Sequence, residues 1–442
     1  MQHLTGHYTY GKLIRFIFPS IIMQIIMSVY GIVDGLFVSN FVGKTAFAAV
    51  NFILPFLMLM GCMGFMFGSG GGALISKTMG ERRMELANGY FSLVVYVSLA
   101  VSVVLCGIGY LVLRPVAVVL GAEGQLLEDS LLYGRVYLLG VPASLLQYEF
   151  QYLFSTAGKP RLGLRITLAA GISNVLLDAL FVGVCSWGLV GAAAATVASQ
   201  IVGGFLPLAY FFSRKNNSLL HLGKTRFNGW AVLQTCRNGA AGMLTSISWA
   251  VVGMLYNVQL LRYSGEDGVA AYGVIMYVCM IFLGFFIGYT VGCEPIVGFQ
   301  YGAENNAELR NVLRKSLVLV GGSSVLMTLF STFAADPLCR IFVGYDPELL
   351  EMTKHGFILY GFSYLFAGIA TLGSSFFTAL NDGKTAATIS LLRTMVFQIL
   401  SVLLLPVVFG LDGIWSATTA AEALSLVLVV WYLVKKQKIY HY

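Results

Sequence analysis

The chain has 442 residues, 58% of them hydrophobic and only 11% charged, with a net charge of +7 and mean hydropathy of +0.81. A soluble chain carries about 25% charged residues, so this one cannot clothe a water-facing surface of its size and is read as an integral membrane protein. Disorder, collagen, long coiled coils and secreted disulfide frameworks are excluded by the same composition. The seven cysteines are an odd number lying mostly in apolar runs, and they read as small hydrophobes.

A helix crossing about 30 Å of hydrocarbon needs about 20 mostly apolar residues. Twelve runs meet this requirement. Spans 1 to 6 lie near 13–38, 47–76, 88–113, 130–157, 162–184 and 187–212. Spans 7 to 12 lie near 231–262, 268–300, 310–334, 353–380, 385–408 and 411–434. Such long runs contradict the ten-residue alternation of a β-barrel. The fold class is therefore all-α, with twelve transmembrane helices. The first run is too long for a cleavable signal.

Of the 27 Lys and Arg residues, 21 fall at one set of span ends, with Arg393 counted among them. The opposite ends hold Lys44, Arg114, Arg135, Arg262, Arg340 and Lys354. The positive-inside rule then puts both termini in the cytoplasm of a multi-pass protein of the cytoplasmic (inner) membrane. The basic excess is thus accounted for by topology, and no nucleic-acid partner is expected.

The second half repeats the first at a shift of 222 residues: Gly43 matches Gly265, Gly70 matches Gly292, Gly80 matches Gly302, Gly188 matches Gly410 and Thr196 matches Thr418. Six spans per half is an even number, so the repeats are parallel and related by an axis along the membrane normal. An N-lobe (1–212), a polar linker (213–230) and a C-lobe (231–442) follow. Two like bundles around a central cleft suit a carrier with alternating access.

Intramembrane charge is costly and usually functional. The spans contain five acids: Asp34, Glu149, Asp178, Glu294 and Glu422. Asp34 on span 1, Asn174 and Asp178 one turn apart on span 5, and Thr196 on span 6 all reckon to roughly 6–11 Å below the outer boundary, at about 1.5 Å per residue. Two carboxylates, a carboxamide and a hydroxyl at one depth suit a proton held between like charges, or a hard cation such as Na⁺ on Asp34, Asn174 and Asp178. At the repeat offset Asp34 becomes Tyr256, Asn174 becomes Val396 and Asp178 becomes Leu400, so building a bundle does not require these acids.

Glu149, in the polar stretch Gln147 to Gln151, either lines a substrate cavity with Tyr30 and Gln151 or faces a neighbouring helix. Glu294 precedes Pro295, which bends span 8; it faces the cleft or sits buried at a hinge. Glu422 reads as a polar packing contact. Pro19 marks a kink in span 1 that a change of charge at Asp34 would straighten or bend. The glycine run Gly68 to Gly72 follows no strand and reads as close helix packing rather than a dinucleotide loop.

The stretch Tyr30-Gly31-Ile32-Val33-Asp34-Gly35-Leu36-Phe37-Val38, continuing to Gly43 and Ala48-Ala49-Val50, resembles the first helix and loop of multidrug and toxic compound extrusion (MATE) transporters. The glycine-rich end of span 2 closing at Gly80, and the run from Pro295 to Gly302, are similar to matching positions in both halves of that family. The resemblance covers essentially the whole chain and implies a V-shaped pair of six-helix lobes. It further implies antiport of amphipathic, often cationic, organic compounds against H⁺ or Na⁺. The family's cation-site residues map onto Asp34, Asn174, Asp178 and Thr196, and its responsive proline onto Pro19. Other branches carry a coupling Glu on span 7 and an Asp on span 10; neither is present here.

The expected partners are small organic molecules and the bilayer, acting on a monomer, with no cofactor beyond the coupling ion. The rival reading is a related lipid-linked precursor flippase, which calls for a basic cleft; the spans show no central Arg or Lys. A membrane-embedded enzyme lacks its nucleophile–base pair or metal ligands, and a channel lacks a charge ring.

Overall fold

The computed structural model describes residues 6–344 and 346–442. Span 1 is the helix Tyr10–Phe37. Span 2 is built from Lys44–Gly61 and Met63–Gly80, span 3 is Met84–Val119, and span 4 is built from Gly124–Leu139 and Val141–Thr156. Span 5 runs Pro160–Asp178 and continues in a π turn, Ala179–Val184; span 6 is Gly188–Phe212. The helix Gly229–Gly302 contains two crossings, because Gly265 has φ 66° and ψ −152° and divides it into spans 7 and 8. Span 9 is Asn306–Phe333, followed by the short helix Ala335–Val343. Span 10 is the pair Pro347–Gly361 and Tyr364–Ala379, bent by 43°. Span 11 comprises Gly383–Leu391, a π turn Leu392–Val396, and Phe397–Phe409; span 12 is Leu411–Tyr440.

Among the described residues, nine helices are long and apolar enough to cross a membrane unaided. Dividing the longest at Gly265, joining the bent pair of span 10 and joining the two halves of span 4 across Gly140 brings the number of crossings to twelve. The all-α, twelve-helix class holds, with most spans extending a turn or so beyond the apolar runs.

The repeat is visible in the backbone. Gly188 and Gly410 both have φ 57°, and Gly43 and Gly265 have φ 118° and 66°. Glycine adopts these left-handed values without the Cβ clash that other residues suffer, so each half makes the turns at its end away from the termini at the same two places.

Apolar packing shows how the halves meet. One buried core draws on both, from Tyr8, Ile17 and Phe91 to Phe286, Val297 and Tyr442. It lies on the side that carries the termini. On the opposite side there are two separate cores. One, from Val38 to Ala193, uses spans 1–6 only, and the other, from Val252 to Ala417, uses spans 7–12 only. The lobes are thus joined at one end and independent at the other, which is the V shape.

Glycines make the joint close. A Cβ on Gly239 would run into the Met66 carbonyl, one on Gly70 into the Thr235 carbonyl, and one on Gly302 into the Lys77 carbonyl. The glycine run of span 2 is accordingly a packing surface, with Gly71 against Val94 and Gly68 against Tyr152. The contact reaches mid-depth, where the Ser28 hydroxyl donates to the Met280 carbonyl at 3.3 Å.

Two non-helical segments brace this end. Residues 213–228 lie along span 3, where Gly223 N donates to Ser92 Oγ at 3.0 Å and Thr225 Oγ1 to the Gly89 carbonyl at 3.0 Å. Before span 1, Tyr8 N donates to Glu308 Oε1 of span 9 at 2.7 Å and His7 Nδ1 lies 2.9 Å from Glu308 Oε2.

Candidate functional site

Asp34 lies one turn before the end of the span 1 helix, and Asp178 is the last residue of the span 5 helix before its π turn. Thr196 lies two turns into span 6, which the Gly188 turn starts at the same level. The structure brings these three residues together, and Asn174 stands one turn before Asp178 on span 5. Thr196 Oγ1 donates to Asp34 Oδ1 at 3.5 Å and to the Ala192 carbonyl at 3.1 Å. The carboxyls of Asp34 and Asp178 are neighbours, close enough for the charge on one to bear on the other.

Asp178 and Asn174 are buried, and Asp34 is half-buried at the cleft side. Among the described residues, no N–H or O–H donates to either Asp178 oxygen or to Asn174 Oδ1. Buried acceptors without donors are costly, and three of them beside a second carboxyl form an electron-rich pocket. That donor set, all hard oxygen, fits a proton or Na⁺.

The hydroxyl of Tyr133 on span 4 also reaches Thr196 and lies within the electrostatic influence of the two acids. Tyr137, one turn on, accepts from Gln200 Nε2 at 3.2 Å. Sequence reading missed both tyrosines, although their i,i+4 spacing on one face of span 4 is a signal. They line the pocket with aromatic faces and hydroxyl groups.

Tyr30 is half-buried; its hydroxyl accepts from Gln147 Nε2 at 3.4 Å and its ring packs on Gly171. Gln151 is buried, with Nε2 2.6 Å from Met27 Sδ. Glu149 meets a neighbouring helix, and among the described residues no group donates to its Oε1. It is fully buried and takes a hydrogen bond from Ser98 of span 3, because its face of span 4 points into the N-lobe. Glu294 is also buried, and with Cys293, Ser316 and Ser375 it lines a small cavity in the C-lobe. Ser375 Oγ of span 10 donates to its Oε1 at 2.7 Å, and Ser69 of span 2 reaches it from the other lobe. Pro295 and Pro19 both lie inside continuous helices.

The C-lobe corrects two expectations. Arg393 is not at a span end but is buried in the π turn of span 11, where its Nε donates to Glu422 Oε2 at 2.8 Å. Glu422 is therefore half of an ion pair rather than a packing contact. The interior holds a base, and 20 of the 27 Lys and Arg remain at the basic ends.

Comparison with known proteins agrees with this geometry. The MatE family model matches residues 19–180 and again 242–404, one match per lobe. The Multidrug export protein MepA of Staphylococcus saprophyticus is 25% identical over 434 residues, covering 95% of this chain and 93% of the relative. A crystal structure of MATE in complex with MaL6 superposes with a TM-score of 0.92 at 20% identity, covering 98% of this chain and 97% of the other. An outward-facing multidrug resistance MATE family transporter of the MOP superfamily gives 0.89 at 20% identity, covering 98% and 97%. The chain belongs to the MatE family of membrane transporters.

Proposed function

We propose that this chain is a secondary antiporter that exports amphipathic, cationic organic compounds in exchange for H⁺ or Na⁺. The observation that carries the reading is the Asp34–Asp178 pair, with acceptors lacking donors beside it, at the open end of one lobe. Two neighbouring carboxyls repel each other when both are charged, so the pair takes up a proton or a cation. Filling the pocket draws spans 1, 5 and 6 together; emptying it leaves repulsion that relaxes by rearrangement, with Pro19 as the compliant point of span 1. A bound ion shifts the two access states only by its differential affinity for them, and a pocket reachable from one side supplies that difference.

With both termini cytoplasmic, as the Lys and Arg distribution supports, the joined end faces the cytoplasm and the separate cores face outward. The cleft between spans 1 and 7 then takes the organic compound, with Tyr30 on its wall. The S. saprophyticus relative's name, a multidrug export protein, supports the same direction of transport. The flippase alternative is disfavoured because Arg393, the one buried arginine among the described residues, is bound to Glu422.

The test is ethidium export from proteoliposomes, with a pH gradient and a Na⁺ gradient imposed separately. Acceleration by one of the two is expected and names the ion. Export indifferent to both gradients would overturn the reading.

A further inference from the structure

The C-lobe contains a counterpart of the cation pocket, built from different chemistry. Where Thr196 meets Asp34 in the first lobe, Thr418 Oγ1 meets the Tyr256 hydroxyl at 2.7 Å, and that hydroxyl also donates to Gln398 Oε1 at 3.3 Å. The neutral phenol needs no counter-ion. One turn along span 12 from Thr418 stands Glu422, at the position equivalent to Gln200 of the first lobe. Its carboxylate is buried, with side-chain exposure of 8%, and Arg393 is equally buried at 10%. The guanidinium also points at the Ala367 carbonyl of span 10, 3.5 Å away.

We propose that Arg393 is a tethered counter-cation, standing permanently beside Glu422 in the role that an exchangeable ion plays beside Asp34 and Asp178. The second lobe thereby binds no coupling ion, and the number of ions per transport cycle is set by the first lobe alone.

The surroundings of Glu422 support this. Among the described residues, other titratable groups near it include the Tyr256 hydroxyl from span 7 and the Cys279 thiol from span 8. Neither supplies positive charge, so Arg393 is its only base among the described residues. A buried carboxylate deprived of that base would seek a proton or a metal ion, as the Asp34 pair does. The π turn Leu392–Val396 contributes too: Arg393 is its second residue, and the extra residue such a turn accommodates changes the direction of the side chains it carries.

The inference rests on the antiport reading above, and the experiment separates the two. Full-length protein in proteoliposomes is assayed for ions moved per ethidium, from the gradient at which net ethidium flux reverses. Arg393→Gln exposes Glu422 and is expected to raise the ratio by one ion. Arg393→Gln combined with Glu422→Gln is expected to restore the wild-type ratio. A monodisperse Arg393→Gln protein with an unchanged ratio overturns the proposal. If the single variant does not fold, the double variant decides: the wild-type ratio supports the tether, and loss of gradient-driven export overturns it. Asp34→Asn, run in parallel, reports on the first-lobe site alone; retained coupling there would remove the antiport site without altering the Arg393 comparison.

Discussion

Thr196 donates its hydroxyl to Asp34 at 3.5 Å, and 222 residues later Thr418 and Tyr256 meet at 2.7 Å. The repeat has kept one partner and replaced the other, from a carboxyl to a phenol. The same junction of two spans therefore serves an ionisable pocket in one lobe and a neutral hydrogen bond in the other.

That contrast separates two mutations. Tyr256→Phe removes two buried hydrogen bonds, to Thr418 and Gln398, and should cost about 1–3 kcal/mol of stability, seen as a lower unfolding temperature in detergent, with unchanged ion dependence of transport. Thr196→Ala should leave the unfolding temperature nearly unchanged in the absence of the coupling ion. It should weaken the cation dependence of export by up to roughly tenfold, the scale of one hydrogen bond. Equal effects of both changes on ion dependence would contradict the asymmetry.

The glycine joint packs the two lobes closely at the end that carries the termini. Gly239→Leu puts a branched side chain where the Met66 backbone leaves no room even for a Cβ. Overpacking of this kind costs about 1–3 kcal/mol, here charged against the joined state only. Spin labels at Glu81→Cys and Glu304→Cys, on the loops after spans 2 and 8, should move apart in this variant, and ethidium export should fall. An unchanged label distance would show that the joint is not what holds the lobes.

Outside the bilayer, the turn between spans 10 and 11 carries its own pH dependence. Burial pushes the Asp382 carboxyl up, but hydrogen bonds from Lys436, Thr385 and Tyr440 outweigh it and hold the group below the usual carboxylate range. Lys436 Nζ is 2.5 Å from Asp382 Oδ2, with side-chain exposures of 22% and 9%. A carboxyl lowered on folding contributes stability that is present above its unfolded value of about 3.9 and fades as pH falls through the folded value. Asp382→Asn should therefore destabilise by about 1–3 kcal/mol at pH 7. The gap from wild type should close below about pH 4, as the wild-type carboxyl itself becomes protonated. A gap that persists in acid would assign the role to packing.

Much of this was legible before the fold was known, for physical reasons. Apolar run length is set by the bilayer, so the spans were readable; glycines at matching turns and contacts carry the repeat, because no other residue fits there. Asp34, Asn174, Asp178 and Thr196 were found by depth, since helical rise converts position into height. Arg393 was not. A long basic side chain eight residues into an apolar run reads as one reaching back to the headgroups, and only the fold shows Glu422 of the next span holding it. Glu149 stayed open for a related reason: a polar stretch does not say which face meets a neighbouring helix, and the fold shows Ser98 of span 3 donating to it.

The central claim is that the Asp34–Asp178 pocket couples ion entry to export. It is tested most directly by ethidium export from proteoliposomes under whichever ion gradient drives the wild type, comparing wild type with Asp34→Asn. The account predicts that the variant folds, inserts and loses gradient-driven export by tenfold or more, about 1.4 kcal/mol of coupling. Full gradient-driven export by Asp34→Asn would contradict it.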